Sequence, residues 1–244
     1  MNISKEAKLA NTDRQTATTM ASHRKTSLAA GLLYLLTFVS IPSLLTLYVP
    51  VKSANYILGA GPDTAVIVGG ILEIIVALAG IGTAVVLFPV LKKQNEGVAL
   101  GLVASRILEA STMFVGVAFL LSIVILRQAG AGADALVTSH ALATLYDRIF
   151  LLGQSFMPAV NDLLLGYLLY KARLVPRALS LIGIVGGPVL VVGYITVLFG
   201  LIGQHAPLTG LFAIPVALFE FALGIWLLIK GFNSKAVAAL ESKK

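Results

Sequence analysis

The sequence predicts an all-α membrane protein, a six-helix transmembrane bundle with both termini on the cytoplasmic side. Three observations carry that prediction. Hydrophobic residues fill 58% of the 244 positions and charged ones only 12%, with a mean hydropathy of +0.94. A soluble domain sits nearer half apolar and a quarter charged. Several apolar runs exceed the ~18 residues at which a stretch is long enough to cross a bilayer. Finally, Lys and Arg crowd the loops of one side, which sets orientation. The same crowding explains the net charge of +7: the cations flank apolar runs, so they bear on topology, the lipid bilayer is the expected partner, and no nucleic-acid partner is expected. The chain has no cysteine, which removes disulfides, thiolate metal sites and cysteine nucleophiles.

Taken in order, residues 1–26 are polar and carry Lys5, Lys8, Arg14, Arg24 and Lys25. No apolar stretch there resembles a signal-peptide core, so a disordered basic cytoplasmic tail is expected. Span one is placed at 27–49 and contains Pro42; span two, 64–91, carries Glu73; span three, 97–126, carries Arg106 and Glu109. A polar, small-residue linker follows, its second half expected as a short interfacial helix. Span four is placed at 147–170, span five at 178–200 with Pro188, and span six at 207–229 with Pro215 and Glu220, leaving 231–244 as a cytoplasmic tail. Spans two and three are longer than the ~20 residues a bilayer needs, which predicts tilt or protrusion. Five Lys and Arg fall in the N-terminal tail, two in 92–97, three in 171–177 and four from Lys230 onward, against only Lys52 and Arg127 on the opposite side. Tyr48, Tyr56 and Tyr146 are assigned to the outer interface, and Tyr167, Tyr170 and Trp226 to the inner one.

Span four holds the most informative pattern. Its polar residues come as adjacent pairs seven residues apart: Asp147-Arg148, Gln154-Ser155 and Asn161-Asp162. Seven residues are close to two helical turns, so the pairs form one stripe rising ~10.5 Å per step. Such a stripe belongs against other helices or a wet cavity, with Leu151 and Leu164 off it. Counting ~1.5 Å per residue from the cytoplasmic loops puts Arg106, Glu109, Asp162 and Glu220 all roughly 14–18 Å deep. Arg106 and Glu109, at i,i+3, share a face. Three carboxyls beside one guanidinium leave a surplus that a proton or a cation must neutralise. Glu73 lies nearer the outside, on a face of small residues (Gly69, Gly70, Ala77, Gly80), with Gln154 or Arg148 as its expected partner. Gly183-xxx-Gly187 and Gly97-xxx-Gly101 read as helix-packing motifs. Pro158, between Ser155 and Asp162, is the proline with most bearing on the polar face.

Catalytic motifs are absent. His23, His140 and His205 fall outside the spans without metal-ligand spacing and are read as solvated; no metal site and no cofactor are expected. Gly153-Gln154-Ser155-Phe156-Met157 lacks the second glycine of a serine nucleophile elbow. In GYLLYKARLVPRALSLIGIVGG, by contrast, Gly166, Tyr167, Leu168, Tyr170, Lys171, Pro176, Arg177 and Leu179 resemble the signature of an uncharacterised bacterial membrane family, domain-of-unknown-function 4386. Arg24-Lys25, Arg106 with Glu109, and Glu220 ahead of Trp226 fit the same resemblance, which covers roughly 24–231. It implies a six-span bacterial inner-membrane protein and brings no assigned activity. Three function classes remain open. The leading one is binding or transport of a small molecule, cation or proton. Its cavity would open outside along Arg148, Gln154, Ser155 and Asn161, pass near Glu73, and end at Arg106, Glu109, Asp162 and Glu220. The others are a non-enzymatic accessory protein whose charges lock the bundle, and an intramembrane enzyme using Glu109, Asp162 and Glu220 as acid and base.

Overall fold

The computed structural model describes residues 21–41, 43–53, 55–59 and 62–242; the expectations for 1–20 and for Pro42 lie outside them. Helix α1 (21–36) begins ahead of the expected position 27. It tightens to a 3-10 turn at Thr37–Ser40, and a wide π turn follows at Ser43–Leu47. The apolar run 27–49 is therefore not one continuous helix among the described residues. Five helical stretches are long and apolar enough to cross a membrane: Asp63–Leu91, Glu96–Gln128, Gly132–Ala172, Arg177–Leu198 and Pro207–Ile229.

Local chemistry sets the boundaries of α2 (Asp63–Leu91), α3 (Glu96–Gln128), α6 (Arg177–Leu198) and α7 (Pro207–Ile229). Asn95 caps α3 by accepting the Val98 N–H at 3.0 Å. Pro176 precedes α6, and Pro207 occupies the first turn of α7, where its missing N–H costs nothing. The third stretch is more complex. Helix α4 (Leu136–Phe150) absorbs the second half of the expected linker and runs through a π turn at Leu151–Ser155 into α5 (Met157–Ala172). Pro158 accounts for the wide turn: in a regular helix its ring would collide with the carbonyl of Gln154, and it has no N–H to donate. Opening one turn relieves the collision and accommodates one extra residue. Residues 231–244, read as a tail, contain an amphipathic helix, α8 (Ser234–Glu241), capped by Asn233, with Val237 and Leu240 buried. Glu241 receives Lys93 and lies 3.0 Å from His23, so His23 is not simply solvated.

Helix α2 packs on α3, α5 on α6, and α6 on α7, while the 3-10 and π turns after α1 pack on α2. Glycines set the closest approaches. A Cβ on Gly187 would stand 2.7 Å from the Ala159 carbonyl oxygen, and one on Gly183 2.7 Å from the Phe219 ring. On Gly97 and Gly101 the nearest atoms would be 3.6 and 3.9 Å away, so that motif makes no close contact. Gly31 faces Gly224, where a Cβ would come within 2.8 Å of the Gly224 oxygen. Arg24 donates to the carbonyls of Leu227 and Leu228 at 3.1 and 2.7 Å, so α1 closes on the end of α7. The apolar core falls into two main clusters. One, around Leu87, Leu102, Leu168, Phe219 and Leu227, lies at the end that holds α8. The other, around Tyr48, Ile57, Leu120, Ile123 and Tyr146, lies at the far end. Large apolar side chains such as Leu45, 70% exposed, and Ile125, 63% exposed, cover the outside. A soluble surface avoids such a belt and a lipid-facing one requires it.

Candidate functional site

A polar layer separates the two apolar clusters, and α3 supplies its centre. Ser105, Arg106, Glu109, Ala110 and Met113 fall on the buried face of that helix. Arg106 donates through Nη1 to Glu109 Oε2 at 2.9 Å and through Nη2 to Glu220 Oε1 on α7. Asn161 on α5 donates to the same Glu109 oxygen at 2.7 Å and accepts from Ser105 Oγ at 2.6 Å. Four of the anticipated residues, Arg106, Glu109, Glu220 and Asn161, thus form one bonded set, with Ser105 added. Asp162 is 0% exposed and neither of its oxygens has a hydrogen-bond partner. The hydroxyl of Tyr34 is likewise buried and unpartnered, with Arg106 Cζ 5.8 Å from the centre of its ring.

A cavity of about 420 Å³ rises from this layer. Arg106, Glu109 and Glu220 line its inner end, Gln154 and Ser155 its flank, and Gln204 and Thr209 its outer end. Asp162 is not in the lining, contrary to the expectation that the cavity ends on it. Asn161, expected along the cavity, is not in the lining either: its side chain is taken up by Ser105 and Glu109.

Glu73 forms a second centre. It is 0% exposed and accepts hydrogen bonds from Tyr48 at 3.0 Å, Tyr146 at 2.9 Å and Gln154 at 3.2 Å. Gln154 is thus one of its expected partners. Arg148 is not: it is exposed and donates to Gln204 at 2.9 Å, while Asp147 pairs with Lys52 at 2.8 Å. The π turn explains this departure, since its extra residue rotates everything before Leu151 relative to Asn161. For the same reason Leu151, expected to be off the stripe, is 2% exposed and lines the cavity.

Tyr48 and Tyr146 are buried ligands of Glu73, not interfacial anchors, and Tyr56 is buried against Asp63 at 2.6 Å. Sequence reasoning missed Tyr34, Tyr48, Tyr146 and Ser105 as site residues. A signal existed for two: Tyr34 lies deeper in its apolar run than an interfacial tyrosine should, and Ser105 adjoins the arginine. A family model described as "Domain of unknown function (DUF4386)" matches residues 29–231. Neither the curated proteins nor the solved structures return a match.

Proposed function

The chain belongs to the domain-of-unknown-function 4386 family, and from that premise we propose that it binds a small molecule or cation in the cavity above Arg106 and carries it through the membrane. One observation supports this reading most: a cavity of about 420 Å³ within the helices whose inner wall is ionic. Its size lies in the ~300–1,000 Å³ range of small-molecule sites. Ionisable groups at such depth are costly and usually serve a guest or a proton path. Arg106 offsets one of three carboxyls, so the surplus charge takes up a proton or a small cation. The membrane is a bacterial inner membrane in this reading, with six crossings and both termini cytoplasmic. The bias of fourteen Lys and Arg against two supports that orientation.

Because the chain has no cysteine, single-cysteine variants report cleanly. A membrane-impermeant thiol reagent added outside should label Gln154→Cys and Ser155→Cys. It should not label Leu152→Cys, whose position is 53% exposed on the outer face of the helices. Reporter fusions at Ser53, Ala133 and Gly203 should read outside, and those at Gln94 and Ala172 inside. The accessory reading has one observation in its favour: Ser105, Asn161, Glu109, Arg106 and Glu220 form an unbroken chain of hydrogen bonds. Such a chain can serve only to lock helix register. Absence of labelling at 154 and 155 in a folded protein would leave that reading standing.

A further inference from the structure

Among the described residues Arg106 is the only cation in the cavity lining, yet it is not what the cavity presents. Its side chain keeps 4% of its surface, against 11% for Glu109 and 13% for Glu220. Both Nη groups are occupied by those glutamates, and Nε is enclosed without a partner. Glu109 spends Oε2 on Arg106 and Asn161, and Glu220 spends Oε1 on Arg106. The remaining oxygens, Glu109 Oε1 and Glu220 Oε2, have no hydrogen-bond partner among the described residues and are not sealed off. The floor therefore offers acceptors and no free donor. Its charge has the same sign, because two carboxylates, Glu109 and Glu220, share the single Arg106 guanidinium. An anionic guest would face two carboxylates across a low dielectric, where like charges repel strongly.

The walls above are aromatic and apolar, including Phe38, Phe150, Tyr194, Phe212 and Met113. Ring faces attract cations while excluding water, and organic ammonium ions are recognised in this way. Among the described residues no group of three or more His, Cys, Asp or Glu is placed to hold a metal ion. A bare inorganic ion would also leave these walls unused.

The geometry points to an organic cation as the guest: an ammonium-type head on the Glu109 and Glu220 oxygens, with an apolar, ring-bearing body along Phe38, Phe150, Tyr194 and Phe212. This rests on the ligand-binding reading above and supplies the chemistry of the ligand. It assigns Arg106 a positioning role, holding the two carboxylates apart and aimed at the cavity.

The test uses the full chain in lipid nanodiscs and three probes that share a benzyl group, with empty nanodiscs subtracted. The probes are benzyltrimethylammonium, neopentylbenzene (the hydrocarbon in which carbon replaces its nitrogen) and phenylacetate, each measured by calorimetric titration. The ammonium should bind roughly tenfold or more tighter than the hydrocarbon, and the carboxylate should not bind. Glu220→Gln and Glu109→Gln should each weaken the ammonium by roughly tenfold, and Leu152→Ala should not. Phe212→Leu, which leaves the ionic layer intact, should weaken the ammonium and the hydrocarbon alike and keep the preference for the cation, because this ring lies against the body and not the head. A preference lost in this variant would overturn the placement of the head on the glutamates. Hydrocarbon or carboxylate binding that equals or exceeds the ammonium would overturn the cation while leaving a ligand cavity. Failure of all three probes on folded protein would overturn both.

Discussion

Arg106 is 3% exposed and holds carboxylates from two helices. Removing it strands Glu109 and Glu220 in a buried layer, and breaking a buried pair from one side costs about 3–5 kcal/mol. Arg106→Ala should therefore melt well below the parent protein in a thermal-unfolding assay. Arg106→Lys should recover only part of the loss, because an ammonium cannot fork onto two carboxylates. Equal melting of all three proteins would mean that the ionic layer contributes nothing to stability. This layer was legible from the residues because helical rise is constant: charges counted inward from loop ends fall at computable depths. The state of Asp162 was not legible in the same way. Depth places a residue at a level, while its partners depend on rotation about the helix axis and on what neighbouring helices bring. Tyr48 and Tyr146 failed for a related reason. A tyrosine near the end of an apolar run is normally at the interface, and only the fold shows that Glu73 is close enough to draw both hydroxyls inward.

At the scale of elements, two motifs spelled alike behave differently. Gly187 approaches the backbone oxygen of Ala159, which cannot swing aside, and the nearest atom to a Cβ on Gly101 would be Leu164 Cδ1 at 3.9 Å. Gly187→Ala should destabilise by about 1–3 kcal/mol through overpacking. Gly101→Ala should be neutral or slightly stabilising, since alanine is favoured over glycine in a helix by up to ~1 kcal/mol. Denaturant or thermal unfolding of the two variants side by side checks this, and a reversed order would show that α5 and α6 do not meet closely at Gly187. Spacing announces both motifs, but only the partner helix determines which one is used. The polar stripe shows the same limit. Matching depth put Gln154 or Arg148 beside Glu73 and Gln154 is there, while the period of seven lost Arg148 to the π turn, where Pro158 in effect adds a residue to the count. The proline was visible in the sequence; whether the helix would kink, break or widen was not.

For the molecule as a whole, α8 ties distant parts of the chain together. The Lys93 ammonium, helped by His23, holds the Glu241 carboxyl below the usual glutamate range. A carboxyl with a lowered folded value contributes its full stabilisation above the unfolded value, about 4.3, and loses it as pH falls through the folded value. The tether should therefore be intact at neutral pH and release in acid. A dye on Ser242→Cys should keep constant fluorescence anisotropy from about pH 7 to 5 and lose it below about pH 4. Glu241→Gln should give the mobile signal across the whole range. Anisotropy independent of pH in both proteins would show that Glu241 does not hold α8 in place.

The Gly31–Gly224 contact and the Arg24 bonds to Leu227 and Leu228 join the first helix to the last. Helical neighbourhood in this protein is thus cyclic while its sequence is linear. No interhelical surface depends on where the chain happens to be cut. A circular permutant that bridges α8 to α1 and opens the turn after Gly200 would present the same cavity with its ends on the other side of the membrane.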